Sequence, residues 1–207
     1  MTPAPRDTAA LLVRRDRAFR RVVELTTPPP AMRRVRVDDR FATLIRSITS
    51  QLLSTKAART IHGRVVDVCG GDVNVDSVLS AGVGNLRAVG LNGVKASAMV
   101  DLAHHVADGR VQLARHGRMS DADVTREVTA VRGIGPWTAE MYLIFTLGRP
   151  DVWPIGDLGV RNGWSRLHGL DETISPQDLR VAGDCFAGYR STVAWYCWNA
   201  VDPEPWE

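Results

Sequence analysis

Apolar residues recur along the chain at helical spacing, and no segment alternates long enough to be a half-buried strand. Phe41, Leu44, Ile45, Ile48 and Leu52 fall at i, i+3, i+4, i+7 and i+11, one stripe of an amphipathic helix. Ahead of them, Thr8–Leu25 has helix-forming composition and is stopped by Thr26, Thr27 and three prolines. A further helix is expected from about Thr55 to Cys69, with Ser54 as N-cap and Gly70-Gly71 as its stop. Short helical pieces fit Val75–Ser80 and Asn85–Val89, and a longer one fits Val94–Ala107 with Val94, Ala98, Leu102 and Val106 as its face. Ser120, with Asp123 three residues on, opens a helix lined by Val124, Val128 and Val131. Pro136 suits the first turn of a helix to about Leu147, whose Ala139, Met141, Leu143, Ile144 and Phe145 require burial. Later helices are expected near Asp157, at Ser175-Pro176 and near Arg190. The sum is an all-α fold without internal repeats.

A chain of 207 residues suits one domain, or two small lobes sharing a core. Its 44% hydrophobic and 24% charged residues exclude wholesale disorder and fibrous architectures. The net charge of +3 becomes informative only when divided along the chain. Residues 1–60 carry thirteen Lys/Arg against five Asp/Glu, and the remainder thirteen against eighteen. Of the 26 cationic residues all but Lys56 and Lys95 are Arg, a skew that phosphate contacts or a GC-rich genome would each produce. Cys69, Cys185 and Cys197 match neither zinc-ligand nor iron–sulfur spacing and are expected as buried free thiols. No run has the length of a signal peptide or a membrane span, so the cytoplasm is the default expectation, with the nucleoid as its place in a bacterium.

The segment Val131-Arg132-Gly133-Ile134-Gly135-Pro136-Trp137-Thr138-Ala139 lies between two expected helices. Two glycines two apart permit a tight hairpin with outward N–H groups, and the next helix N-terminus adds a positive dipole end. Such a turn can hold a phosphate or simply join two helices. A dinucleotide fingerprint fails, because Thr138 stands at its last glycine and the turn follows a helix. Asp157, judged locally, is a helix N-cap. All six tryptophans, at 137, 153, 164, 195, 198 and 206, lie in the last third.

The hairpin, the segment Asp151–Arg161, the helix end Ile45–Ser54 and the aromatic helix from Tyr189 to Trp198 occur in one order across about Val35–Val201. In that order they resemble the helix-hairpin-helix DNA glycosylase superfamily, and within it the 3-methyladenine DNA glycosylase II family, in its compact branch without the extra N-terminal domain. The resemblance implies two helical lobes around a DNA-binding cleft, with residues 1–34 joining the C-terminal lobe and 35–207 forming the glycosylase core. It implies a monofunctional enzyme that flips alkylated purines from double-stranded DNA and hydrolyses their N-glycosidic bonds, as a monomer, off the membrane and without a cofactor. Asp157 becomes the catalytic carboxylate. Trp137, Met141, Trp198 and Leu158 become the base pocket, leaving Trp153, Trp164 and Trp195 to the core. Gln51, Leu52, Gly133, Gly135, Thr138, Lys95 and Arg161 become DNA contacts. No metal is required, although the hairpin carbonyls of Thr129, Val131 and Ile134 are placed to hold a monovalent cation.

Elementary chemistry agrees with this assignment. An alkylated purine leaves as a neutral base while positive charge grows on the sugar, so one ionised carboxylate suffices. Electron-rich rings suit a cationic base. Leu52 is open to two readings, a wedge entering the duplex or the last apolar residue of its own helix, and Lys95 is as readily an ordinary exposed lysine. Gly156 stands where some members carry a second aspartate, and Met141 and Leu158 where some carry aromatics, which bears on the damage spectrum. Trp137 occupies the place where lyase members hold a lysine. The reading from another class is a non-catalytic helix-hairpin-helix module, which accounts for the hairpin but not for Asp157 with Trp137 and Trp198.

Overall fold

The computed structural model describes residues 5–27, 29, 34–53 and 55–202, and all regular structure among them is helical. The expected cap Ser54 and Trp206 lie outside the described residues. The chain forms two compact units, Met1–Arg33 with Gly148–Glu207, and Arg34–Leu147.

In the first unit, the helix expected over Thr8–Leu25 begins earlier and is divided. α1 spans Pro5–Arg15, and α2 spans Arg20–Leu25 after a 3-10 turn over Arg17–Phe19. The break is local chemistry: the Asp16 carboxylate accepts the Ala18 N–H at 2.9 Å and so caps a new start. Phe19 then enters an aromatic cluster with Trp164, His168 and Phe186, where the His168 ring stacks on Trp164 at 4.2 Å between centroids. α9 (Leu158–His168), α10 (Pro176–Ala182) and α11 (Arg190–Val201) complete the unit. Ser175 accepts the Asp178 N–H to start α10, as expected. α9 and α11 cross so closely that a Cβ on Gly163 would fall inside the carbonyl of Cys197. Of the three thiols, Cys69 and Cys197 are buried, whereas Cys185 is exposed, contrary to expectation.

The second unit begins with α3 (Arg40–Ser50), whose Phe41, Leu44, Ile45 and Ile48 are at most 4% exposed. α4 (Thr55–Val68) ends as expected, with Gly70 and Gly71 in the left-handed region. α5 (Val75–Ala88) consists of two pieces meeting at a kink at Gly82, matching the two short helices expected there. α6 (Gly93–Ala107) is rotated relative to expectation: Val94 is exposed while Lys95, Ala98, Met99 and Leu102 are buried. α7 (Asp121–Thr129) is capped by Ser120, which accepts the Asp123 N–H. α8 (Pro136–Met141) runs into a π-helical turn over Tyr142–Thr146. Buried Tyr142 there meets His116 Nδ1 at 3.0 Å, and His116 Nε2 meets Glu127 Oε1 at 2.9 Å.

Candidate active site

Asp157 in the first unit is held from three directions. Upstream, the segment Arg149–Trp153 is stapled to the start of α11: Arg190 pairs with both oxygens of Asp151, and Ser191 Oγ donates to Arg149 O and accepts the Val152 N–H. Trp153 is anchored by its indole N–H on Leu179 O at 2.8 Å. After the Pro154-Ile155-Gly156 turn, Asp157 caps α9, its Oδ1 accepting the Val160 N–H at 2.8 Å. The same oxygen accepts the Trp198 indole N–H at 2.9 Å. The N-cap reading and the functional reading therefore describe one carboxylate: capping is the means by which a side chain only 8% exposed keeps a fixed direction. Gly159 is required beneath this bond, since a Cβ there would lie 2.9 Å from Trp198 Cδ1 and 3.1 Å from Asp157 Oδ1. Gly156 has no such duty, because its Cβ would meet nothing within 4 Å.

Trp198, expected as a ring wall for a base, is 5% exposed and spends its N–H on Asp157. Leu158, beside it in sequence, is 60% exposed at the first turn of α9. Trp153 and Trp164 are core residues as expected, and Trp195 is half-buried. Arg161, expected at DNA, has its Nε on Ile174 O at 2.7 Å, so that nitrogen braces the loop before α10.

Trp198→Phe keeps a ring and removes one donor. A hydrogen bond to a charged group is worth about 1.5–3 kcal/mol, so the variant should lose stability of that order. Denaturant or thermal melting checks this, and a curve coincident with the parent's would mean that the indole N–H contributes nothing at Asp157.

In the second unit the hairpin is tied down more than its sequence suggests. Gly133 has φ +86°, and a Cβ there would lie 2.8 Å from that of Ala98. The Arg132 N–H goes to Asp101 Oδ2 at 2.8 Å and the Ile134 N–H to Val131 O at 3.1 Å, so two of the expected outward donors turn inward. In the first turn of α8 Pro136 brings no N–H and the Ala139 N–H goes to Gly135 O at 3.2 Å, so what this turn offers a phosphate is the positive end of the helix with the backbone N–H groups of Trp137 and Thr138. Gly135 caps that helix with open space around its Cα. Thr138, expected at DNA, is 1% exposed and its hydroxyl accepts from Gln51 Nε2 at 2.8 Å. Trp137 is half-buried, and Met141 one turn on is 2% exposed, leaving little of its surface for a base. The hairpin carbonyls offered to a cation include Val131 O, which already accepts one N–H; no chemistry is assigned to an ion there.

Gln51 ends α3 and turns its amide to the hairpin, donating to Gly133 O at 3.1 Å as well as to Thr138. Leu52 is fully exposed with φ +55°, the one non-glycine with positive φ among the described residues. A core-capping role is excluded for it. Lys95 is not an ordinary exposed lysine. It is 7% exposed, with Nζ donating to Thr49 O at 2.8 Å and Gln51 O at 2.6 Å, and burial pushes its pKa below the usual value. No short-range signal marked Lys95, Asp101 or Ala98 as supports; their partners lie 31 to 46 residues away.

These elements define the class. A model of the HhH-GPD superfamily base excision DNA repair protein matches residues 45–183, and the chain belongs to that family. It is 30% identical over 187 residues to DNA-3-methyladenine glycosylase 1 of Schizosaccharomyces pombe, covering 89% of this chain and 82% of the relative. The structure of the Schizosaccharomyces pombe 3-methyladenine DNA glycosylase in complex with abasic DNA superposes with a TM-score of 0.86 at 28% identity, over 93% of this chain and 95% of that one. A DNA-3-methyladenine glycosidase from Bacillus halodurans gives 0.76 at 29% identity, over 97% and 90%.

Proposed function

We propose that this protein is a monofunctional DNA glycosylase that everts an alkylated purine of the 3-methyladenine type from duplex DNA and hydrolyses its N-glycosidic bond in base excision repair. The observation that carries the reading is Asp157, a nearly buried carboxylate aimed by Val160 and Trp198 in the family's motif position. The C1′–N bond breaks with its electron pair going to the base, which leaves neutral because alkylation had made it cationic. Positive charge on the sugar is stabilised by Asp157 until water adds to C1′ and loses a proton. The hairpin and the first turn of α8 hold the DNA backbone, and Leu52 fills the space of the flipped nucleotide. The enzyme acts as a monomer wherever its DNA lies; among the described residues no helix is long and apolar enough to cross a membrane.

The placement of the two lysines supports a monofunctional reading. Trp137 stands at the lyase position, Lys95 Nζ is committed to two carbonyls, and the other lysine, Lys56, is on exposed α4 surface. Alkylated duplex treated with the pure protein should therefore break only after alkali, and borohydride should trap no covalent adduct. Strand breaks without alkali, or a trapped adduct, would overturn the monofunctional reading.

Gly135→Asp separates fold from DNA binding. The new carboxylate is a better N-cap than glycine, and it competes for the N–H groups assigned to phosphate while adding repulsion. The variant should be as stable as the parent or more so, yet lose roughly tenfold or more affinity for damaged and undamaged duplex alike. Equal binding by electrophoretic shift or anisotropy would remove the hairpin from the interface.

A further inference from the structure

We propose that Lys95 is the positioning residue of the Gln51-Leu52 loop, holding Leu52 outward in the conformation that enters DNA. The proposal rests on the reading of Leu52 as the wedge. α3 ends at Ser50, so the carbonyls of its last turn lack helical partners. Lys95 Nζ takes one of them, Thr49 O, together with the next carbonyl beyond the helix, Gln51 O. The Gln51 carbonyl shares a peptide plane with the Leu52 nitrogen, so fixing that oxygen fixes the plane about which Leu52 φ is set. Leu52 has φ +55° and its side chain is fully exposed, a conformation that leucine does not adopt without constraint. A lysine only 7% exposed is costly unless its ammonium is hydrogen-bonded, and here two carbonyls take two of its three donors.

The same face of α6 also sets the hairpin. Ala98, three residues on, receives the bare Cα of Gly133, and Asp101, three more, holds the Arg132 N–H. Gln51 Nε2 closes the triangle on Gly133 O. One helix thereby fixes the register between the wedge and the backbone-holding turn, with Lys95 as the member that acts on the wedge.

The test is a double-mutant cycle on the full chain, reading the ratio of affinities for a tetrahydrofuran abasic-analogue duplex and its undamaged counterpart. Leu52→Ala should lower that preference, and Lys95→Met, which keeps the stem and removes the ammonium, should lower it similarly, each by roughly tenfold. The double variant should lose no more than either single one, a coupling that a merely stabilising lysine would not produce. If Leu52→Ala lowers the preference and Lys95→Met does not, or if the two losses multiply, Lys95 has no positioning role and the wedge stands. If Leu52→Ala changes nothing, the wedge reading falls and this proposal with it. Should Lys95→Met not fold, Lys95→Gln, one bond too short for both carbonyls, enters the same cycle with the same expected result.

Discussion

Asp157→Asn should lose base release by about a thousandfold or more while its affinity for an abasic-analogue duplex stays within roughly twofold of the parent. Asparagine is as good an N-cap as aspartate, and its amide oxygen can still accept from Val160 and Trp198, so the local fold should persist. What disappears is the negative charge, needed only as the sugar becomes cationic. Loss confined to the chemical step, with thermal stability and duplex binding intact, is the signature of that role. Unchanged single-turnover rates would remove Asp157 from the mechanism.

Gly163→Ala should produce the largest loss of stability of any single methyl addition in the first unit. The new carbon would lie 1.9 Å from the Cys197 carbonyl oxygen and 2.5 Å from its carbon, and two packed helices must separate to admit it. The cost should be about 3 kcal/mol or more, above the ordinary range for overpacking because the obstacle is backbone. At about 2–4 °C per kcal/mol the melting temperature should fall by roughly 6–12 °C. Base release should fall as well, since α9 carries Asp157 at its start and α11 carries Trp198. Gly63→Ala in α4 is the matched control: its Cβ would meet nothing within 4 Å, and alanine there should stabilise by about 0.5–1 kcal/mol. A Gly163→Ala melting curve coincident with the parent's would refute the close crossing.

The helix starts at Ser120, Asp157 and Ser175 were legible because a cap oxygen and the N–H it accepts lie within three residues. The face Phe41 to Ile48 was legible because burial repeats at the helical period. Leu52 completes that period in sequence yet lies beyond the helix end at Ser50, where Lys95, 44 residues from Gln51, takes the carbonyl beside it. The same tertiary pull rotates α6, burying Lys95 and exposing Val94 against the four-residue apolar pattern. Asp16 divides the first helix through one side-chain bond that composition does not reveal. At the site, local sequence showed Asp157 only as a cap, and its chemical role came from the resemblance; the bond from Trp198 spans 41 residues and explains Gly159 as well. Thr138 and Gln51, both read as DNA contacts, turn out to bind one another, since a hydroxyl and an amide suit an internal bond as well as a phosphate.

The central claim, that this chain breaks the bond between an alkylated purine and deoxyribose, is tested most directly by identifying the base it frees. Duplex DNA treated with a methylating agent and incubated with the pure protein should yield free methylated purine by mass spectrometry, in amount equal to the alkali-labile sites formed, and Asp157→Asn should yield none above the spontaneous background. Tight binding to that DNA with no base released by the parent protein would contradict the claim and leave a non-catalytic helix-hairpin-helix module in its place.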